Sequence, residues 1–258
     1  MAISTILGYP RIGCRRELKT ALESYWKGKI PESELLKTAG GLREAHWALQ
    51  KEAGIGAIPC NDFSLYDQML DMSCHLGVLP SRYKWPGGKV DLPTYFAMAR
   101  GTQRQGIDVP AMEMSKWFDT NYHYIVPEFE LGQAFKLSTT KPTDEFNAAK
   151  EAGVKTRPVL IGPMTYLLLA KCPGGRNVEL LDRLLPAYIE SLKLVEQAGA
   201  MSNCWTGCCR PITKASSCWS MRVRTGFSLT SLRLRSIWMM PSARPMQTPT
   251  RKFVPGRN

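Results

Sequence analysis

The sequence contains little histidine, has no long apolar run and lacks acidic side chains in residues 201–258. Only 3 of its 258 residues are His. No stretch approaches the roughly 18–20 apolar residues of a membrane span, and no basic-then-apolar start predicts a signal peptide. These absences argue against a membrane protein. We expect a soluble cytoplasmic protein whose hydrophobic residues, 44% of the chain, can build a sizeable core.

The net charge of +12 is concentrated at one end of the chain. Ten of the 34 basic residues and none of the 22 acidic ones lie in 201–258, so residues 1–200 carry 24 basic against 22 acidic side chains. The same end holds four of the eight Cys and three of the seven Trp. Residues 1–200 are therefore electrostatically ordinary, and 201–258, here named the basic tail, is a segment of different composition.

The basic tail reads as a shifted reading frame. When the last base of each codon is joined to the first two of the next, Asn203-Cys204 must give Leu and Trp205-Thr206 must give Asp. The remaining codons permit a text that matches Glu179–Ala200 over most of its length. We therefore predict that 201–258 is an out-of-frame tail, disordered or non-native, joined at residue 200 to a genuine domain.

Two functions could be assigned to the basic tail from its residues alone. A zinc knuckle would use its cysteines, but their spacing fits no common Cys-x2-Cys pair and no His lies near them. Its arginines could bind RNA or another polyanion. A non-catalytic anion- or nucleic-acid-binding protein is therefore the alternative to the enzyme argued below, although we do not expect a nucleic acid or a membrane as partner.

Residues 1–200 alternate short apolar strands with amphipathic helices, which is typical of a parallel α/β fold. The predicted strands lie within 4–10, 55–59 and 157–163. The predicted helices run over 15–27, from Pro31 to Gly54, from a cap at Asn61 or Asp62 to His75, and over 178–198. The apolar stripe of the second helix is predicted to be Leu35, Leu36, Ala39, Leu42, His46 and Leu49.

Two segments could form a binding site. Arg16 and Lys19 share one side of the first helix near its positive N-terminal end, which suits a carboxylate or phosphate, although a solvated helix face has the same pattern. Residues 112–128 interleave Trp117, Phe118 and Tyr122 with polar side chains, which suits a heteroaromatic ligand. A half-buried strand with its loop would look similar.

Residues 1–200 offer no recognisable metal or nucleotide motif. Their three His and four Cys show no metal-ligand spacing, and they contain no Gly-x-Gly-x-x-Gly, Walker loop, His-Glu-x-x-His or nucleophile elbow. His46 lies on an apolar helical face, so we interpret it as structural, and we interpret His123 in the same way. No metal or cofactor is expected in this chain.

Four blocks of the sequence closely resemble the N-terminal part of the cobalamin-independent methionine synthases, in family order and across essentially all of 1–200. They are L-G-Y-P-R-I-G-C-R-R-E-L-K, D-F-S-L-Y-D-Q-M-L-D, M-E-M-S-K-W-F-D-T-N-Y-H-Y-I-V-P-E and P-V-L-I-G-P-M-T-Y-L-L-L. The family is a methyltransferase that moves a methyl group from 5-methyltetrahydropteroyltri-L-glutamate to L-homocysteine, which makes L-methionine. The resemblance implies two βα-barrels, of which 1–200 is the first part of the N-terminal one, a partial (β/α)8 TIM-type barrel.

The resemblance also implies where substrates bind. Carried over by motif, the residues that contact the methyl-folate and its polyglutamate tail are Arg16, Glu17, Leu18, Lys19, Lys116 and Asn121. The family's zinc, which activates the homocysteine thiol, belongs to the C-terminal barrel, and so does homocysteine. We therefore expect this chain to hold the folate side of the reaction, to carry no catalytic residue and no metal, and to be inactive alone.

Overall fold

A short parallel sheet lies at the middle of the part of the chain that the structure describes. The computed structural model describes residues 3–104 and 107–200. Strand β1 (Ile58–Cys60) pairs in parallel with β6 (Thr156–Pro158). Thr5 bridges Ala57 in parallel on the other edge of β1, because the N–H groups of Ala57 and Ile58 donate in opposite directions, to Ser4 and Lys155. Residues from all three predicted strands therefore lie side by side here.

The remaining strands form two antiparallel hairpins. Strand β2 (Thr102–Arg104) pairs with β3 (Ile107–Val109), and β4 (Met114–Lys116) pairs with β5 (His123–Ile125). The mixture of helices and strands confirms an α/β fold. The described strands form three two-stranded sheets, so the partial barrel remains a prediction.

Seven α-helices surround these strands in the described part of the chain. They are α1 (Glu17–Trp26), α2 (Glu32–Glu52), α3 (Gln68–His75), α4 (Leu92–Arg100), α5 (Lys141–Glu151), α6 (Pro163–Leu168) and α7 (Leu181–Gln197). Helices α1, α2 and α7 confirm three predicted helices within a few residues at each end. The buried stripe of α7 contains Leu184, Tyr188, Leu192 and Val195, as its periodicity predicts.

The prediction of a buried strand over 4–10 was wrong. The segment contributes the single bridge at Thr5, and the side chain of Leu7 is 88% exposed. An apolar run becomes a buried strand only when neighbours pair with it and cover its faces. Here Thr5 pairs with Ala57 alone among the described residues, so the run past it stays at the surface.

The predicted start of the third helix was also wrong. Neither Asn61 nor Asp62 caps this helix. Instead, α3 begins at Gln68, directly after Asp67. The Asp67 carboxylate accepts hydrogen bonds from the N–H groups of Met69 and Leu70, both at 3.0 Å. Asp67 is therefore the N-cap, since it satisfies two amides that have no partner inside the helix.

The apolar stripe of α2 was predicted only in part. Leu35 and Ala39 are buried, whereas Leu36 and Leu49 are 45% and 50% exposed. Trp47 and Gln50 are buried in the C-terminal half of the helix. The side chain of Gln50 also donates a hydrogen bond to the carbonyl of His46 at 3.0 Å. The buried face of α2 therefore includes Leu35, Ala39, Trp47 and Gln50 and leaves Leu36 and Leu49 toward solvent.

Three clusters of buried side chains hold the elements together. The first joins α1, α2 and α4 and contains Leu18 and Leu35. The second joins α3, α6 and α7 and is built around Tyr166. The third lies beside β1, where Ile58 packs with residues of α2, α5 and α7. No described helix is long and apolar enough to cross a membrane. The predicted out-of-frame tail, 201–258, lies outside the described residues.

His75 makes the stability of the fold depend on pH. Its Nδ1–H donates to the carbonyl of Thr139 at 2.9 Å, and its Nε2 accepts from the hydroxyl of Ser191 at 2.8 Å. Burial disfavours the charged ring and lowers the pKa of His75 from 6.5 to about 4, although the bond to Thr139 opposes the shift. Between these values the unfolded chain binds more protons than the folded one.

We expect the free energy of unfolding to fall as the pH drops below 6.5, by up to about 1.4 kcal/mol per pH unit. Urea unfolding between about pH 5 and pH 7 measures this slope. The variant His75→Gln should lose that part of the slope, and His123→Gln, which changes an exposed ring, should keep it. An unchanged slope in His75→Gln would contradict the prediction.

Candidate functional site

The loops that follow the parallel strands meet at one edge of the sheet. The Tyr9 N–H, after Thr5, donates to Asp62 Oδ2 at 2.8 Å. Asn61, after β1, donates through Nδ2 to the carbonyl of Val159, after β6, at 2.8 Å. Ligands of α/β proteins bind at the carboxyl ends of parallel strands. A binding site is therefore expected at this edge. Both predicted segments, the start of α1 and residues 112–128, are connected to it by the contacts described below.

The loop that leads into α1 is shaped by the carboxylate of Glu17. Its Oε2 accepts from the Arg15 N–H at 2.9 Å, and its Oε1 accepts from the Cys14 thiol at 3.7 Å. The N–H of Glu17 itself, followed by that of Arg15, holds the pKa of Glu17 below its usual value. A Cβ at Gly13 would collide with Glu17 Oε2, and Gly13 has a φ of +85°. The Glu17 side chain therefore folds back, and its carboxylate accepts hydrogen bonds from its own loop.

Arg16 and Lys19 are exposed cations of this corner, as is Arg15, whose Nε lies 3.6 Å from Glu17 Oε1. Arg16 caps α1 in the left-handed conformation, with φ 62°, and among the described residues it forms no ion pair. Lys19 lies one turn along and contacts Glu23 Oε1 at 3.7 Å. A left-handed arginine costs conformational energy, and such residues cluster at functional sites. Both side chains are accessible to an anion near the positive end of the helix, although Lys19 would exchange or share its exposed contact with Glu23.

Leu18 has a different position from its neighbours. Its side chain is fully buried among the residues of α1, α2 and α4, and its N–H donates to the carbonyl of Ile12 at 3.1 Å. The side chain therefore anchors the helix that carries Arg16 and Lys19. Contact of Leu18 with a substrate, as the resemblance implies, stays a prediction.

The second predicted group lies on the β4–β5 hairpin. Lys116, at the end of β4, and Asn121, in the turn, are both exposed. The rings of Trp117 and Phe118 meet edge to face with centroids 5.3 Å apart. Phe118 is 53% exposed and has a left-handed φ of 49°. The hairpin therefore presents flat apolar surface beside a cation and an amide, an arrangement that suits a heteroaromatic ligand.

The two groups are connected through one intermediate segment. Within 3–104 and 107–200, no hydrogen bond or ion pair joins Arg16 or Lys19 directly to Lys116 or Asn121. The segment 65–67 touches the elements that carry both. Arg11, in the loop before α1, donates to the carbonyls at its beginning, and Tyr122 of the hairpin donates to Asp67 at its end. The segment 65–67 thus contacts both the loop before α1 and the β4–β5 hairpin.

A buried ion network beneath this edge was not predicted. Lys141 Nζ contacts Glu145 Oε1 at 2.9 Å and Asp71 Oδ2 at 3.3 Å, and it donates to Asn61 Oδ1 at 3.0 Å. Burial disfavours its ammonium, but Glu145 and Asp71 keep the pKa of Lys141 above its usual value. The i,i+4 spacing of Lys141 and Glu145 was a usable signal. Because its donors are committed, Lys141 is a structural cation rather than an anion site.

The described histidines and acidic side chains do not build a metal centre. No group of three or more His, Cys, Asp or Glu within 3–104 and 107–200 is placed to hold a metal ion. The ring of His46 stacks on Tyr9, with centroids 4.6 Å apart, and burial lowers the pKa of His46. His123 is exposed, and its Nδ1 lies 3.1 Å from the carbonyl oxygen of Asn121. The chemistry of this site is therefore that of cations, amides and aromatic rings.

Comparison with known proteins shows the family of this chain. The family described as "Cobalamin-independent synthase, N-terminal domain" matches residues 3–203. A 5-methyltetrahydropteroyltriglutamate–homocysteine methyltransferase of Chelativorans sp. is 54% identical over 204 residues, 75% of this chain and 26% of the relative. Proteins of the same name from Salinibacter ruber, 53% identical over 206 residues, and Parvibaculum lavamentivorans, 55% over 202 residues, cover 77% and 78% of this chain and 27% and 26% of themselves.

These matches show the family of the chain, but they cover only part of the length of each relative. The chain spans about a quarter of the length of the relatives that it matches. The family match covers all six residues of the predicted folate site and every described helix and strand. The chain therefore belongs to the cobalamin-independent methionine synthase family of methyltransferases and corresponds to the N-terminal domain of that family.

Proposed function

We propose that this chain binds 5-methyltetrahydropteroyltri-L-glutamate at the edge described above. Arg16, Glu17, Leu18 and Lys19 form one side of the site, and Lys116 and Asn121 form the other. The names of the relatives, which specify the triglutamyl folate, support this substrate. The observation that carries the proposal is the pair of exposed cations, Arg16 and Lys19, beside the N-terminus of α1.

The charges of the site suit a chain of carboxylates. Arg16 and Lys19 supply two cations, and the positive end of the helix dipole adds to their charge. Glu17 would repel such a ligand if it pointed outward, but its carboxylate is bonded to the N–H of Arg15 and is turned into the loop. The polyglutamate tail is therefore assigned to the α1 corner, where charge-assisted hydrogen bonds can form.

The hairpin is assigned to the ring end of the folate. Trp117 and Phe118 offer ring faces and edges for a flat heteroaromatic group, while Lys116 and Asn121 supply one cation and one amide at the margin. Apolar contact area provides binding energy, and the few polar groups fix the orientation of the ligand. This division explains why a folate with several glutamates needs both groups of residues.

The reaction of the whole enzyme is not assigned to this chain. Transfer of the methyl group to homocysteine, as in the names of the relatives, needs an activated thiol, which the family obtains from zinc in its C-terminal barrel. The described residues contain no cluster that fits a metal. We therefore propose that the chain holds the folate, that homocysteine is a substrate only of the full-length enzyme, and that the chain alone transfers no methyl group. In this proposal, the parallel strands belong to the first part of a (β/α)8 barrel.

Isothermal titration with the triglutamyl and monoglutamyl forms of the folate tests the proposal. We expect the triglutamyl form to bind at least about tenfold more tightly, because each charge-assisted hydrogen bond contributes about 1.5–3 kcal/mol. The difference should shrink as salt is added. Equal affinity for the two forms, or no binding of either, would contradict the proposed function.

A further inference from the structure

The most extensively hydrogen-bonded carboxylate at this edge belongs to Asp67. It is almost fully buried and accepts four hydrogen bonds. Two come from the N-terminus of α3, through the N–H groups of Met69 and Leu70 at 3.0 Å. The other two come from the hairpin, through the Ile125 N–H at 3.0 Å and the Tyr122 hydroxyl at 2.7 Å. Asp67 therefore ties the start of a helix to the base of the β4–β5 hairpin.

The residues just before Asp67 are tied to the other half of the proposed site. Arg11 Nη1 donates to the carbonyl of Leu65 at 3.1 Å, and its Nη2 donates to the carbonyl of Tyr66. Arg11 lies in the loop that ends at Arg16. One short segment, 65–67, thus contacts the loop in front of α1 on one side and the hairpin on the other.

We propose that Asp67 is a positioning residue, which holds the hairpin carrying Lys116 and Asn121 in place opposite the cations of α1. This inference rests on the proposed folate site and adds a residue that itself touches no substrate. Tyr122 is the hairpin end of the link: it lies in the turn between Lys116 and the following strand, and its hydroxyl donates to Asp67. Without that bond, the turn would keep its pairing with β5 but lose its anchor to 65–67.

A carboxylate is the appropriate group for this position. Asp67 receives donors at both oxygens, since Tyr122 binds Oδ1 and the three backbone amides bind Oδ2. An asparagine could accept at one oxygen only, and its NH2 group would have to donate to the Tyr122 hydroxyl, which reverses the direction of that bond and removes the charge that strengthens it. Burial raises the pKa of Asp67, while the hydrogen bonds from Tyr122, Ile125 and Leu70 oppose that rise. Burying this carboxylate costs free energy, and its hydrogen bonds to the start of α3 and to the β4–β5 hairpin offset that cost.

The mildest test removes the hydroxyl of Tyr122 and keeps its ring. Tyr122→Phe is expected to weaken binding of the triglutamyl folate by about tenfold. Tyr124→Phe is the matched control, because it removes a hydroxyl from the same hairpin that donates to the carbonyl of Leu169 at 3.0 Å and not to Asp67. This control should change the affinity by less than about twofold. Thermal unfolding of both variants reports any loss of stability.

Repeating Tyr122→Phe in two other variants, Lys116→Ala and Arg16→Ala, distinguishes a positioning role of Asp67 from a general structural effect. If Asp67 acts by placing Lys116, the effect of Tyr122→Phe should shrink to about threefold or less in Lys116→Ala, but stay near tenfold in Arg16→Ala, whose side chain lies on the other side of the site. A loss of the same size in both backgrounds would overturn the inference, and so would an unchanged affinity in Tyr122→Phe. Failure of the unmodified chain to bind folate would instead refute the proposed function, and the inference with it.

Discussion

Glu145→Ala is expected to lower the free energy of unfolding by about 3 kcal/mol or more. The side chain of Glu145 is 5% exposed, and its Oε1 lies 2.9 Å from both Arg43 Nη1 and Lys141 Nζ. Its Oε2 accepts from the Asn61 N–H at 3.0 Å. The substitution leaves two cations and an amide without this partner in a poorly solvated place. Small domains are stable by only about 5–15 kcal/mol, so the effect should be large.

Equilibrium unfolding in urea measures this difference. Glu151→Ala is the control, because it makes the same change in an exposed residue at the end of the same helix. The control should stay within about 0.5 kcal/mol of the unmodified chain. Equal stability of Glu145→Ala and Glu151→Ala would show that the network around Lys141 contributes nothing measurable.

The double variant Arg16→Ala/Lys19→Ala is expected to bind the triglutamyl folate about a hundredfold more weakly. Each cation is proposed to make a charge-assisted hydrogen bond, and the loss of one such bond costs about 1.5–3 kcal/mol, or at least about tenfold in affinity. The monoglutamyl form should lose far less, because it lacks two of the three glutamates and the free carboxylate that each of them carries. Stability should change little, since both side chains are exposed and Lys19 has only a surface ion pair with Glu23.

Lys27→Ala/Lys29→Ala is the charge-matched control for this variant. Both lysines are exposed and lie just beyond the other end of α1, about 15 Å away at 1.5 Å per residue. Titration should show little change for either folate in the control. An equal loss in the two double variants would mean that net charge, rather than the α1 corner, determines the affinity. Equal losses for the triglutamyl and monoglutamyl forms would remove Arg16 and Lys19 from the tail site.

Helices with a clear apolar stripe were predictable without a structure. The spacing of Leu184, Tyr188 and Leu192 indicated the buried face of α7, and the structure has it there. The same reasoning found α1 and its buried Leu18. Periodicity works in these cases because each position on a helix shares a face with those three and four residues away, so the local sequence contains the whole signal.

Besides part of the α2 stripe, the predictions that went wrong were those that depended on distant partners. Leu7 reads as part of a buried strand, but it is exposed because Thr5 alone bridges a neighbour among the described residues. Asn61 reads as a helix cap, but its side chain binds Val159 and Lys141 instead. The true cap, Asp67, also accepts a bond from Tyr122, 55 positions away. No local pattern specifies such pairs.

The sequence by itself determined the family, the balance of charge and the presence of two cations where the first helix starts, because these follow from residue identity and short-range spacing. Only the tertiary structure decided that Asp67 ties the hairpin to the same edge. It also decided that Lys141 is held by Glu145 and Asp71. The reason is physical: a buried charge or hydrogen bond needs a partner at about 3 Å, and folding alone determines which distant residue supplies it.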